Sequence, residues 1–269
     1  MIDNVIELMD YPFPQLATTA KARRSIGVGI TNLAYDMAVR GLRYSSISGK
    51  RYIHKLAEMH SYYLHKASLR LAKERGVCEW IDKTKYPEGW LPIDTANKVV
   101  DTIVDQPLLC DWETLRKEII TNGGIRNSVL EAFMPNESSS VATGGTNLIY
   151  PIRSLKVIKT SGTNKNLFIA PKAEDLKWDY ELAWDVPTKD MLEVYAIVQK
   201  FTGQAISADL YITYNSSVGE KSVGAKELLT QFLTFTKLGI KMRTVPAVLS
   251  PTVMVTFYRD WETDRKSVV

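Results

Sequence analysis

The residues best placed to do chemistry lie between Ile125 and Ala142. A β-prone run, Ile125 to Met134, leads into Pro135, and Asn136, Glu137, Ser138, Ser139 and Ser140 follow before the chain turns apolar at Val141. A strand that runs into a proline and a polar cluster is a signal for the start of a helix. The first turn of a helix leaves its amide N–H groups without intrahelical acceptors and carries the positive end of the helix dipole, so it suits an anion, most often a phosphate. Serine hydroxyls placed there add side-chain donors to the backbone ones. A plainer reading competes on composition alone: Asn136 or Ser138 caps a helix, and Glu137 favours its dipole. The motif by itself leaves both open.

Other reactive residue types are present in settings that point to packing. Gly27 and Gly29 followed by Asn32 approach a dinucleotide fingerprint, but the third glycine is missing and no acidic residue stands at a suitable distance after a second strand. Close packing of a strand on a helix explains them better. His54, His60 and His65 fall in one helical stretch. Only His60 sits squarely on its apolar stripe and no His-Glu-x-x-His pattern accompanies them, so they read as core or surface histidines rather than ligands. Cys78 and Cys110 have no partner at metal or redox spacing and read as small buried hydrophobes. Tyr62 and Tyr63 form a tandem pair in mid-helix, where helix packing is the safer reading.

The elements that must position the serine cluster can be read from periodicity. Ile2 to Met9 has helical spacing and stops before Pro12 and Pro14. Ser25 to Ile30 reads as a short strand, and Asn32 to Arg40 as a helix ended by Gly41. From Lys50 to Arg75 an apolar stripe through Ile53, Leu56, Ala57, His60, Leu64, Ala67 and Leu71 predicts a long amphipathic helix, closed by Gly76. Two shorter helices follow the turn formers Tyr86 to Gly89, the second capped by Asp111 and closing at Asn122 to Gly124. Beyond the serine cluster, β-rich runs at Leu155 to Lys159 and Leu167 to Ala170 precede a helix over Lys189 to Lys200, a strand near Ala208 to Thr213 and a helix from Ala225 to Leu238. Strands separated by helices of this length predict crossover connections and a largely parallel sheet.

Composition sets the outer bounds. Of 269 residues, 45% are hydrophobic and 24% charged, which is ordinary for a soluble globular chain with one sizeable core or two small ones. A net charge of +4 from 34 basic and 30 acidic residues, with no long run of one sign, argues against nucleic acid as a partner. The cysteine usage fits a reducing, cytoplasmic setting. No apolar run approaches a membrane span and the start has no leader pattern, so no membrane association is expected.

Arg126-Asn127-Ser128, followed by Pro135 to Ser140, resembles the strand and loop that bind the substrate diphosphate in class I ribonucleotide reductase large subunits. Further stretches match in the same order: Arg24 to Ile30, His65 to Ser68, Leu91 to Thr95, Tyr180 to Trp184, Gln199 to Phe201 with Gln204 to Ser207, and Leu238 to Lys241. Ordered matches over residues 1–241 are far more specific than one short pattern. The resemblance implies an α/β fold, the second half of a ten-stranded α/β barrel of the ribonucleotide reductase type, incomplete in this chain. A ribonucleoside diphosphate would lie across the barrel mouth with its phosphates on Pro135, Asn136, Glu137, Ser138 and Ser139.

In that family a thiyl radical abstracts the ribose 3′ hydrogen, and two further cysteines reduce the 2′ position with help from an Asn and a Glu. All of these would lie before residue 1, so no catalytic residue and no metal ligand is assigned here, and no cofactor is expected on this chain. The resemblance implies a parent enzyme that works with a radical-generating, metal-containing small subunit, ATP or dNTP effectors, thioredoxin or glutaredoxin, and a second large subunit as homodimer partner. Where the family has adjacent tyrosines for radical transfer, Met242-Arg243-Thr244-Val245 stands, and its C-terminal cysteine pair is missing. Residues 242–269 therefore do not match the family. Asp264 to Val269 reads as one frame of a common sequencing-adapter DNA, so a frameshifted or adapter-derived tail is expected. The fragment is expected to be inactive alone. A non-catalytic nucleotide- or phosphate-binding module is the alternative, and an interaction protein built on an exposed Lys50 to Arg75 stripe is a second rival.

Overall fold

Prolines set the first boundaries of the chain. In the computed structural model, which describes residues 1–161, 164–212, 225–241, 247–249 and 253–255, helix α1 (Ile2–Leu8) ends before Pro12 and helix α2 (Pro14–Arg23) begins with Pro14 in its first turn. Proline fits there because the first helical N–H has no partner to lose. Arg24 then turns left-handed (φ 49°) and sends the chain back along Ile26 to Gly29. Helix α3 (Leu33–Val39) follows from Asn32, also left-handed (φ 67°).

Helix α4 (Ile47–Arg75) is the longest element, capped by the Ser46 hydroxyl, which accepts the Gly49 N–H at 3.0 Å. Its buried face differs from the expected stripe. Ile53, Ala57, Leu69 and Ala72 are buried, but so are Lys50, His54, Glu58, Ser61, His65 and Ser68, whereas Ala67 is exposed and His60 and Leu64 are half-buried. The polar members are buried because each has a partner. Lys50 pairs with Asp190 and Glu193, and the Ser61 hydroxyl donates to the Phe201 carbonyl at 2.6 Å. Glu58 Oε1 accepts the N–H groups of Leu109 and Cys110 at 2.7 and 2.8 Å. With this helix at the centre of the core, the rival that needs an exposed stripe loses its premise.

Three short 3-10 turns, at Ile81–Lys83, Pro92–Asp94 and Lys98–Thr102, stand where the first of two shorter helices was expected. The second is present as α5 (Trp112–Thr121), capped by Asp111, whose carboxylate accepts the Thr114 N–H at 3.0 Å. Helix α6 (Glu137–Ala142) is short, and α7 (Thr188–Lys200) is buried on nearly all sides from Met191 onward, as its run Met191 to Val198, apolar but for Glu193, requires. Helix α8 (Ala225–Leu238) closes the helical part.

The described strands form two small sheets, neither of them closed. Strands β1 (Lys156–Ser161) and β2 (Asn164–Ile169) form an antiparallel hairpin with Lys156 opposite Ile169, where a parallel arrangement was expected. The link between them is too short for a helical crossover, so only antiparallel pairing is open to them. Strand β3 (Leu210–Ile212) does pair in parallel with β4 (Ala247–Leu249) across α8, and β5 (Val253–Val255) adds antiparallel to β4. Thr213, the last residue of the expected strand, lies outside the described residues, as do most of residues 242–269. The expected strands at Ser25 to Ile30 and Ile125 to Met134 meet side by side at one parallel bridge, Val28 to Glu131.

Candidate phosphate-binding site

That bridge carries the chain into the serine cluster. The Ile26 N–H donates to the Val129 carbonyl at 2.9 Å, Val28 to Leu130 at 3.0 Å and Ala132 to Val28 at 3.2 Å, so the segment before Pro135 is held in register with the strand before α3. Gly29 is required there, since a Cβ would stand 2.5 Å from the Ala132 carbonyl oxygen. The same close approach accounts for the glycine pair without a dinucleotide.

Helix α6 then opens at Asn136, and the Ser140 N–H gives its first return bond, to the Asn136 carbonyl at 2.8 Å. Asn136 occupies the cap position, but its side chain does not cap: Oδ1 accepts the Leu148 N–H at 2.7 Å, and the Asn136 N–H donates to Asn147 Oδ1 at 2.9 Å. Behind this clamp the Asn32 side chain accepts the Thr146 N–H at 2.9 Å, and the Asn32 N–H donates to the Thr146 carbonyl at 2.9 Å. Two asparagines thus tie the return loop, Thr143 to Leu148, to both the start of α3 and the start of α6.

The residues singled out from the sequence divide into two groups. Glu137, Ser138 and Ser139 are exposed along the first turn of α6, Pro135 is exposed just before it, and Asn136 at the cap is half-buried. Ser140 is buried and its hydroxyl donates to the Glu137 carbonyl at 2.9 Å, so it serves the helix itself. Among the described residues no side chain engages the hydroxyl of Ser138 or Ser139. The turn therefore offers an outward set of amides and two hydroxyls on a fixed backbone.

A cavity of about 350 Å³ adjoins α6 and is lined by Glu137, Thr146, Asn147, Tyr150, Arg153 and Tyr211, among others. Sequence reading missed Thr146, Asn147 and Arg153; the run of turn formers Thr143 to Asn147 was the available signal. The Thr146 hydroxyl is buried with no hydrogen-bond partner among the described residues. Burial pushes the nearby Asp209 carboxyl up to about 6, against the Arg153 charge and the Tyr211 hydroxyl, which pull it down, while Glu137 adds to the rise.

The remaining candidates pack as structural groups. His54 and His65 are fully buried and His60 half-buried, the reverse of the expected placement; burial pushes His54 and His65 down to about 4 and keeps them neutral. Cys78 is buried and Cys110 half-buried, and burial raises both thiols. Tyr62 stacks edge-on against Trp112 at 5.3 Å, and Tyr63 is largely exposed. Among the described residues no helix is long and apolar enough to cross a membrane.

Mixed helix and unclosed sheet, with a polar turn at the end of a bridged segment, define an α/β chain. A family model described as ribonucleotide reductase, barrel domain, matches residues 1–173, and the chain belongs to that family. It is 43% identical over 242 residues to the ribonucleoside-diphosphate reductase subunit alpha of Haemophilus influenzae, covering 89% of this chain and 32% of that protein. Similarity to subunit alpha of ribonucleoside-diphosphate reductase 1 from Escherichia coli is also 43%, over 238 residues, 88% of this chain and 31% of that protein. The bacteriophage T4 subunit alpha is 37% identical over 213 residues, 78% of this chain and 28% of that protein. The chain thus spans about a third of the length of the curated relatives it matches.

Proposed function

We propose that this chain is part of a ribonucleoside-diphosphate reductase large subunit and supplies the turn that holds the substrate diphosphate. Pro135, Asn136, Glu137, Ser138 and Ser139 form that turn, with Ser138, Ser139 and the first-turn amides as donors. The observation that carries the reading is the fixed backbone of α6: the Asn136 and Asn147 clamp aligns the turn while both outer hydroxyls stay exposed.

In the whole enzyme the segments at Ser25 to Ile30 and Ile125 to Met134 are neighbouring strands of a ten-stranded barrel whose other strands come from outside these residues. Ribonucleoside diphosphates are reduced to deoxyribonucleoside diphosphates there, in the cytoplasm, by cysteines that are neither Cys78 nor Cys110. A radical-generating small subunit, thioredoxin or glutaredoxin, and a second large subunit complete the system, under ATP or dNTP control. Residues 242–269 stand apart as a tail of non-family origin, and the chain alone has no reductase activity.

Equilibrium dialysis of the full chain against a ribonucleoside diphosphate tests this. The expected result is weak binding, lost in a Ser138→Asp, Ser139→Asp double variant that retains its circular dichroism spectrum. Binding equal in the variant and the unchanged chain would refute the assigned turn.

A further inference from the structure

A second cavity, of about 400 Å³, shares no lining residue with the one beside α6. Its floor is the bridged segment Ser128 to Glu131, its walls are the turn from Lys83 to Trp90 and the Thr202 to Gln204 loop after α7, and Arg23 and Lys241 complete its rim. Four cations line it, Arg23, Lys83, Lys85 and Lys241, against one carboxyl, Glu131. Among the described residues none of the four pairs with a carboxylate. Lys83 instead lies over the Trp80 ring at 3.6 Å, with Arg23 at 5.6 Å from the same ring, so one indole holds two cations near each other.

The floor is as unusual as the rim. Glu131 is 4% exposed, and the hydroxyls of Ser61 and Thr202 are its polar neighbours, with no cation in the set. A buried carboxyl without a counter-ion favours its neutral form, in which it can donate a hydrogen bond into the cavity. Trp90 supplies a flat apolar wall, packed edge-on against Tyr86 at 6.2 Å. Volumes of this order suit a small organic ligand.

We infer that this cavity binds a small organic phosphate monoester, its dianion between Arg23, Lys83 and Lys85 and its uncharged body along Trp90 toward Glu131. A phosphate matches the rim better than a single carboxylate because it carries up to two charges and three strong acceptor oxygens for several cations. The inference does not depend on the α6 reading.

Pyridoxal 5′-phosphate is the probe, since it carries a phosphate and an aldehyde. Its aldehyde carbon condenses with a lysine Nζ as water leaves, and borohydride then adds hydride to the carbon of the C=N bond while solvent protonates the nitrogen. Mass spectrometry of the full chain is expected to find Lys83, Lys85 or Lys241 labelled at least about tenfold more than the exposed Lys177 and Lys189, a preference that pyrophosphate abolishes. Replacing the exposed Lys83 in Lys83→Glu should cut labelling of Lys85 and Lys241 severalfold. Ser139→Asp, which acts on the α6 turn, should leave the pattern unchanged, so the two readings fail separately. Labelling no higher than at Lys177 and Lys189, or a preference that survives pyrophosphate, would overturn the inference.

Discussion

Asn136 and Asn147 form a two-bond clamp across the start of α6: Asn147 Oδ1 accepts the Asn136 N–H at 2.9 Å, while Asn136 Oδ1 accepts the N–H of Leu148, the next residue, at 2.7 Å. The turn proposed to face an anion is therefore fixed from behind. Replacing Asn136 by Ala leaves the buried Leu148 amide without an acceptor, which costs about 1–3 kcal/mol. Asn136→Ala should lower the unfolding free energy read from urea denaturation by that amount and weaken diphosphate binding, and Asn136→Asp, which keeps the acceptor but adds a negative charge, should restore most of the stability and none of the binding. Equal stability of Asn136→Ala and the unchanged chain would show the clamp to be idle.

At the other end of the fold, Asp3 and Arg24 form a buried pair, with Arg24 Nε on Asp3 Oδ1 at 2.7 Å and Asn127 Nδ2 on the same oxygen at 3.1 Å. Burial acts to raise the Asp3 carboxyl, but the Arg24 hydrogen bond and charge outweigh it and hold the group below its ordinary 3.8. The folded state thus binds its proton less readily than the unfolded one. This stabilisation is complete above that value and is lost as pH falls below it toward the folded value. Asp3→Asn leaves a buried guanidinium with one carboxylate fewer and should cost about 3 kcal/mol at neutral pH, read by chemical denaturation. It should also flatten the acid limb of stability below pH 4; an unchanged limb would contradict the assignment.

Glu131 acts in the opposite sense. Burial pushes its carboxyl up from 4.5 to about 7, against the pull of the Ser61 and Thr202 hydroxyls. The unfolded chain releases this proton first, so stability falls as pH rises from 4.5 through 7, by about 3 kcal/mol in all. Glu131→Gln should remove that slope and make the chain more stable than the parent at pH 8. A parent and variant with parallel pH profiles between 4.5 and 8 would rule this out.

Gly49 is fixed by a close approach. A Cβ there would meet the Arg43 carbonyl oxygen at 1.9 Å and the Met37 methyl at 2.9 Å. Gly49→Ala must push the first turn of α4 away from the segment that follows α3, so it should destabilise by at least about 2 kcal/mol despite the helix propensity that alanine adds. A thermal midpoint equal to the parent's would contradict the packing.

Much of this was legible in the sequence where one signal dominates. Apolar period and terminators placed α7 and α8 closely, and Asp111 marked the start of α5 as its cap. The face of α4 was less legible, because periodicity counts apolar residues and this helix buries Lys50, Glu58, Ser61 and His65 through partners distant in sequence. Pro14 was read as a stop although it opens α2, since a proline both ends one helix and starts the next. In the site, the exposed serines could be found from local chemistry. The asparagine clamp could not, because Asn147 meets Asn136 only after the loop folds back. The antiparallel β1 and β2 hairpin shows that alternation of runs does not reveal pairing direction when the link is short.

The central claim, that the first turn of α6 presents its amides and hydroxyls to a diphosphate, is tested most directly by nuclear magnetic resonance titration of the full chain with a ribonucleoside diphosphate. The account predicts saturable shifts of the amide resonances of Glu137, Ser138 and Ser139, lost when Ser138 and Ser139 are both replaced by Asp. Resonances at these three residues that stay fixed while others in the chain respond would contradict it.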